Sequence, residues 1–325
     1  MATKRNDAVI VTQGLTKTFR SKSGRDVLAV DGVDLTISRG ETYGLLGPDG
    51  AGKTTITRLL AGLMRPTRGR VTVLGYDTLR QARSLKAQIG YMAQQFSLYG
   101  ELTVMENLRF FARVQGVSRA EQAERIPRLL HFAGLERFVD HLGHQLSGGM
   151  KKKLALASIL VHEPAVLFLD EPTLGVDPVS RREFWELLAI LRAERKLTIF
   201  VCTPYMDEAE RCHRVGLIYN GGLVAQGLPK EIERQVPGEL LEFRPSDFAR
   251  AKALAPSLPG VLQVQTLGDR LRLFVDDAAV RGLQISAALV AHNITVEGLH
   301  TIQPRMEEAF ISLMRQYEGG CQEGS

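Results

Sequence analysis

Apolar positions recur with two periods along this chain, and each change of period marks an element. Ala8–Gly14 and Val27–Ile37 alternate apolar and polar residues, which predicts strands with one buried face. Thr42–Leu46, TYGLL, is a short apolar strand running into a glycine-rich turn. Residues 53–63 then set Ile56, Leu59, Leu60 and Leu63 on one helical face. Ile89–Gln95 is another short strand, leaving into a polar loop. From residue 102 to 160 the pattern turns helical. Thr103-x-x-Glu106 and Ser118-x-x-Glu121 are capping boxes, each opening a helix, and Val104, Leu108 and Phe111 share a face. Pro127 is expected to kink or restart the second of these helices.

The mixed pattern resumes at Ala165–Leu169, five consecutive apolar residues that suit a parallel strand buried on both faces. A helix from Pro178, a strand at Leu197–Cys202, a helix from Pro204 and strands near 214–219 and 222–226 follow. Such alternation predicts an α/β core with a mainly parallel sheet and an all-helical insertion at about 96–160. A boundary is expected near Val236-Pro237-Gly238. Beyond it the order β-α-β-β-α-β-α, ending in a helix at 304–317, suggests a small ferredoxin-like α+β domain over 237–317. Residues 1–7 and 318–325 read as disordered ends.

Composition narrows the class. With 325 residues, more than one core is expected, and 44% apolar with 24% charged residues is ordinary for a globular chain. No apolar run is long enough to span a bilayer, and the start MATKRNDAVIV lacks the apolar stretch of a secretory signal. Cys202, Cys212 and Cys321 lack metal-ligand spacing and read as reduced thiols. The net charge of +5 is uneven. Residues 1–25 and 65–90 each carry six Lys or Arg against one Asp, which reads as a solvated tail and loop, with attraction to anionic head groups as the competing reading.

The chemistry begins at Gly47-Pro48-Asp49-Gly50-Ala51-Gly52-Lys53-Thr54, which fits G-x-x-x-x-G-K-[ST] between a strand and a helix. Its glycines let backbone N–H groups turn inward around phosphate oxygens. Lys53 brings a point charge to the outer phosphates, Thr54 offers a hydroxyl to Mg²⁺, and the helix start adds its dipole. A capped helix after a plain glycine turn is the competing reading. FLDEP, Phe168 to Pro172, ends a buried strand with two acids. Asp170 is placed to hold Mg²⁺, and Glu171 to take a proton from attacking water. LSGGM, Leu146 to Met150, puts Ser147, Gly148 and Gly149 at another helix start, a second anion site. Two such sites allow two copies to sandwich one nucleotide. The competing reading is an N-capped helix with a solvated Lys151–Lys153 cluster.

Taken in order, GPDGAGKTT, the glutamine of MAQQ, LSGGM, VLFLDEP, LGVD and TPYMDEAERC resemble the ATP-binding subunit of ABC transporters over roughly residues 8–236. YMDEAERC and the appended domain ending TIQPRMEEAFISLM resemble bacterial ABC-2-type exporters, including multidrug exporters. The resemblance implies a P-loop NTPase core of ABC type that binds ATP and Mg²⁺. It implies that Gly47–Thr55 is the Walker A loop, that Asp170 is the Walker B aspartate, and that Glu171 is the catalytic glutamate. It makes Gln94 the glutamine that senses metal and attacking water, although Gln95 beside it leaves the register open. Ser147, Gly148 and Gly149 become the signature that reaches a partner's ATP, and Asp177 the interface aspartate. Phe19 matches the aromatic that stacks on adenine, with a packed strand aromatic as the alternative. The implied partners are an integral membrane permease of ABC-2 type, gripped by residues 96–130, and a second cassette, read as a homodimer, with no nucleic acid. The implied location is the cytoplasmic face of the bacterial inner membrane.

Two positions depart from the family pattern. Met150 stands where the signature has glutamine, and Pro204 where the family has a switch histidine. Thr203 as N-cap and Pro204 as first helical residue would fit that turn sterically. The phosphate contact would be lost unless Thr203 or Tyr205 supplies it. A non-transport ATPase and a regulatory cassette that binds ATP without hydrolysing it stay open as other readings.

Overall fold

The computed structural model describes residues 7–20, 24–95 and 98–322, with side chains to 318. Of the ends expected at 1–7 and 318–325, residues 1–6 and 323–325 lie outside them, as does the start of the 96–130 segment. Two compact units divide between Gly227 and Leu228.

In chain order the first unit runs β1 (Ala8–Arg20), β2 (Asp26–Val33), β3 (Thr36–Ser38), β4 (Thr42–Leu46), α1 (Lys53–Leu60), β5 (Arg68–Val73), β6 (Tyr76–Asp77), α2 (Ala82–Lys86) and β7 (Ile89–Met92). It continues with α3 (Val104–Val114), α4 (Arg119–Ala133), α5 (Gly148–Leu160), β8 (Val166–Asp170), α6 (Pro178–Arg195), β9 (Thr198–Thr203), α7 (Met206–Ala209), β10 (Arg214–Tyr219) and β11 (Gly222–Gly227). The central sheet has the order β11-β10-β4-β9-β8-β7, parallel except for the β11 edge. Every residue of β4, β8 and β9 is buried, which is why these strands read as unbroken apolar runs. A second, antiparallel sheet has the order β2-β1-β5-β6, with β3 on β1. Ile56, Leu59 and Leu60 of α1 share one core with Val71 and Val73 of β5 and Val166 and Phe168 of β8, so the helix after the glycine loop is held between the sheets.

Residues 65–90 are not the solvated loop expected from their arginines. Arg68, Gly69 and Arg70 are exposed at the start of β5, while Val71 and Val73 pack inward beside β1. Both capping boxes form, at Thr103/Glu106 and Ser118/Glu121. α4 runs through Pro127 without a break and ends at Gly134 in the left-handed region.

The second unit comprises α8 (Pro229–Glu233), β12 (Glu239–Pro245), α9 (Phe248–Leu254), β13 (Val261–Leu267), β14 (Arg270–Val275), α10 (Ala278–Ala291), β15 (Val296–Ile302) and α11 (Met306–Gln322). The all-antiparallel order β13-β14-β12-β15 with α9 and α10 as crossovers is the ferredoxin-like arrangement. Its core is Leu241, Phe243, Leu271, Leu273 and Val275 of the sheet with Ile285 and Leu289 of α10. Residues 318–322, expected to belong to a disordered end, continue α11 as helix.

Candidate nucleotide site

The glycine loop follows β4 and closes on α1. Gly52 sits at φ 105°, and a Cβ there would lie 2.3 Å from the Ala29 carbonyl oxygen, so no side chain fits. The next residue, Lys53, is 4% exposed. Its ammonium donates to the carbonyls of Gly47 (2.9 Å) and Pro48 (3.0 Å) and lies 3.2 Å from Glu171 Oε1. One turn beneath, Thr57 and Cys202 meet at 2.9 Å, and burial pushes that thiol far above its ordinary pKa, so it packs as an inert group.

The two acids leave β8 in different directions. Asp170, still in the strand, accepts the Thr54 hydroxyl on Oδ1 at 3.0 Å. Its Oδ2 is buried with no hydrogen-bond partner. Burial raises the Asp170 pKa, opposed by the Thr54 hydrogen bond, by Arg58 and by Lys53. A buried carboxylate oxygen without a donor, beside a threonine hydroxyl and a lysine, fits a divalent cation carrying phosphate. Glu171 turns away in the left-handed region at φ 48°, its N–H donating to Cys202 O at 3.0 Å. Such a conformation costs a non-glycine residue about 1–2 kcal/mol and persists where neighbours enforce it. Gln94, rather than Gln95, completes the group, with Nε2 donating to Glu171 Oε2 at 2.8 Å. Lys152 of α5 reaches the Gln94 carbonyl at 3.3 Å.

The remaining expected residues stand outside this hydrogen-bonded group among the described residues. Ser147 caps α5, accepting Met150 N–H at 3.2 Å. Nothing lies within 4 Å of where a Gly148 Cβ would sit, but a Gly149 Cβ would meet Ser180 Oγ at 2.4 Å. Asp177 caps α6 through Val179 and Ser180 N–H, bonds that hold its carboxyl below the usual range. Phe19 is 39% exposed on β1 with the Lys17 ammonium 5.1 Å from its ring centre.

The turn at Pro204 differs from expectation. Thr203 is the last residue of β9, not a helix cap, and α7 starts at Met206 with Tyr205 before it. The Thr203 hydroxyl is fully buried. It accepts Tyr205 N–H at 3.0 Å and donates to Glu208 Oε2 at 2.6 Å. Tyr205 lies under the Arg181 guanidinium, 4.0 Å away. The Thr203 hydroxyl is therefore already engaged, and the Tyr205 ring is held under Arg181. The residue that sequence reasoning passed over is Glu208. It is 1% exposed, accepts the Thr173 hydroxyl on Oε1, and has Arg181 Nε at 3.7 Å. Thus one carboxylate ties the turn after Glu171 to the end of β9. Its only sequence signal is an acid in a first helical turn, which the helix dipole explains equally well.

Comparison with known proteins agrees with this geometry. The family model for ABC transporter domains matches residues 30–174. The probable multidrug ABC transporter ATP-binding protein YbhF of Escherichia coli (strain K12) is 42% identical over 95% of this chain and 52% of its own length. This chain thus spans about half of that relative. The Nod factor export ATP-binding protein I of Paraburkholderia xenovorans (strain LB400) is 41% identical over 79% of this chain and 84% of its own. Among solved structures, the dimeric post-hydrolysis ATP-binding cassette MJ0796 bound to ADP and Pi superposes with a TM-score of 0.62 at 28% identity, over 67% of this chain and 98% of that one. CbiO1 from Clostridium perfringens gives 0.63 at 30%, over 71% and 92%. A glycine loop ahead of α1, a metal-ready aspartate and a braced glutamate at the end of β8, and a relative matched over most of both chains lead to one statement: the chain belongs to the ATP-binding proteins of ABC transporters.

Proposed function

We propose that this chain is the energising subunit of an exporter, hydrolysing ATP to drive a separate membrane permease of ABC-2 type. Members of the family bind ATP, generally with Mg²⁺, and pair with one another and with a permease. No helix among the described residues is long and apolar enough to cross a membrane. The names of the relatives, multidrug and Nod factor export, support export as the direction. On this reading the protein works at the cytoplasmic face of a bacterial inner membrane as a pair of identical cassettes.

The observation that carries the reading is the cluster of Lys53, Thr54, Gln94, Asp170 and Glu171 around the ends of β4 and β8. A bound Mg²⁺ would neutralise phosphate charge, with Thr54 and Asp170 as its protein ligands. Lys53 must exchange Glu171 and the two loop carbonyls for phosphate oxygens, which releases Glu171 to accept a proton from water. Gln94 holds the other oxygen of Glu171 and so sets the direction of its free lone pairs. Ser147 and the glycines after it would face the nucleotide of the second copy, and Asp177 would stand at the shared interface.

Pro204 offers no side-chain donor, so one orienting hydrogen bond is missing relative to the family pattern. Loss of one such donor costs roughly 10²–10³ in rate by analogy with other oxyanion contacts. A slow ATPase is the expected result. The test is steady-state and single-turnover hydrolysis with the permease present. Glu171→Gln is expected to bind ATP, trap a dimer and turn over at least about a hundredfold more slowly. Unchanged turnover in that variant would remove Glu171 from its role, and failure of the chain to co-purify with any membrane protein would remove the exporter reading.

A further inference from the structure

A second set of convergent donors lies at the opposite end of the central sheet. Thr42 opens β4, about 16 Å along the strand from the glycine loop. Beside it is a cleft of about 170 Å³ lined by Trp185, Leu188 and Arg192 of α6 and by Arg211, Cys212 and His213 of the segment entering β10. This is smaller than the roughly 300–1,000 Å³ of pockets that take drug-sized ligands.

The polar groups lining the cleft are strongly biased toward donation. His213 Nδ1 receives Thr42 N–H at 3.1 Å and lies 3.4 Å from an Arg192 amino group, so the ring proton sits on Nε2. Burial, followed by the Arg192 charge, lowers the His213 pKa, which keeps the neutral donor form at pH 7. Arg192 and Arg211 have no salt bridge among the described residues. The Trp185 Nε1–H is buried and has no acceptor. An unpaired buried donor costs free energy comparable to a lost hydrogen bond, so the Trp185 N–H asks for an acceptor, and the exposed Arg211 and half-buried Arg192 concentrate positive charge in the same cleft. The Glu41 carboxylate, which acts electrostatically on His213, is already committed to Ser38 N–H at 2.7 Å and to Arg214 at 3.4 Å.

We propose that this cleft is an oxyanion site for phosphate or a phosphomonoester group, held by Arg192, Arg211 and His213 and separate from the nucleotide site. Guanidinium groups match the oxygens of a tetrahedral oxyanion by bidentate hydrogen bonding, and the small volume excludes a whole nucleotide.

Trp185 is the only tryptophan in the chain, so it reports on the cleft directly. The full chain, with its nucleotide site saturated by ADP, is titrated with inorganic phosphate and separately with phenyl phosphate, following tryptophan fluorescence. Potassium chloride at matched ionic strength is the control. A saturable change with either phosphate, absent with chloride, is expected. Free phosphate alone acting marks the ion as ligand, and phenyl phosphate alone acting marks an esterified group. Arg211→Ala, on an exposed segment, is expected to weaken binding roughly tenfold or more, and adding Arg192→Ala to abolish it. Far-UV circular dichroism verifies the fold of each variant, and Arg211→Gln serves if the double variant unfolds. No saturable response to either probe overturns the proposal, as does a response that the correctly folded Arg211 variants retain unchanged.

Discussion

Glu208→Ala is the substitution whose consequence the structure fixes most closely. The carboxylate is 1% exposed and receives the hydroxyls of Thr173 and Thr203, with Arg181 Nε 3.7 Å away. Truncation leaves both buried hydroxyls without their acceptor and removes the buried one of Arg181's two carboxylate partners, leaving only the exposed Asp207 at 3.9 Å. Removing one partner of a buried ion pair costs about 3–5 kcal/mol. The low end applies, because the Arg181 side chain is 21% exposed and so retains some water. At roughly 2–4 °C per kcal/mol for a unit of this size, about 3 kcal/mol lowers the melting midpoint by roughly 6–12 °C. Glu208→Gln keeps the shape and one acceptor oxygen, so about 1–2 kcal/mol is lost. The kinetic consequence follows from where the threonines sit. Thr173 is two residues past Glu171, and Thr203 is one past the Cys202 carbonyl that holds the Glu171 amide. A loosened turn misplaces the carboxylate, so kcat is expected to fall by up to about a hundredfold in Glu208→Gln while KM for ATP changes little. Differential scanning calorimetry and ATPase assays read both effects. A Glu208→Ala midpoint within about 1 °C of the parent, or a KM effect exceeding the kcat effect, would refute the reasoning.

Other substitutions test other parts of the site. Asp170→Asn is expected to abolish Mg²⁺-dependent hydrolysis without lowering the melting midpoint of nucleotide-free protein, because it removes a charge that burial disfavours; a clear loss of midpoint would contradict this. Gly149→Ala sets a methyl 2.4 Å from Ser180 Oγ, and Gly149→Ala/Ser180→Gly is expected to recover stability lost in the single variant. Glu242 lies under Arg270 (2.6 Å) and Arg272 (2.8 Å), and Arg272 also meets Glu308. Burial raises the Glu242 pKa but the two arginines outweigh it, so the folded value lies below the unfolded one. The second unit therefore has this stability in full above the ordinary carboxylate pKa of 4.5 and loses it as pH falls through the lower folded value. Glu242→Gln is expected to flatten that acid limb in a urea titration.

Much of the site was legible because its chemistry forces local sequence. A backbone that cradles phosphate needs glycines at fixed spacing, and a metal aspartate carried on a doubly buried strand needs an apolar run before it. Hence Gly47–Thr54 and Asp170-Glu171 could be read without coordinates. The capping boxes were legible for the same reason, since both partners lie within four residues. The strand β5 was not, because its exposed start carries the arginines and only Val71 and Val73 report the buried face. Glu208 was illegible in principle. Its partners Thr173 and Arg181 lie more than 25 residues away in sequence, and the long-range contact leaves no periodic trace. The start of α7 was misplaced because Thr-Pro matched a helix opening locally, while β9 pairing and Glu208 together claimed Thr203 for the sheet.

That competition gives the proline a physical meaning. A side chain at 204 able to touch phosphate must be carried on a segment free to set its position. Here the residue before it is locked into β9 and into a buried carboxylate, and the residue after it is stacked under a guanidinium. Proline removes a further degree of freedom by fixing φ near −65°, which stabilises a turn that is already determined on both sides. On the proposed reading the turn acts as a brace for Glu171 and makes no contact with the nucleotide. On that view Pro204→His alone will not raise the hydrolysis rate, because the imidazole would be carried on a backbone that Glu208 and Arg181 hold in place. Pro204→His combined with Glu208→Gln, which loosens the brace, is expected to hydrolyse faster than Glu208→Gln by itself. A several-fold gain from Pro204→His in the parent background would show instead that the missing donor, and not the rigidity of the turn, limits the rate.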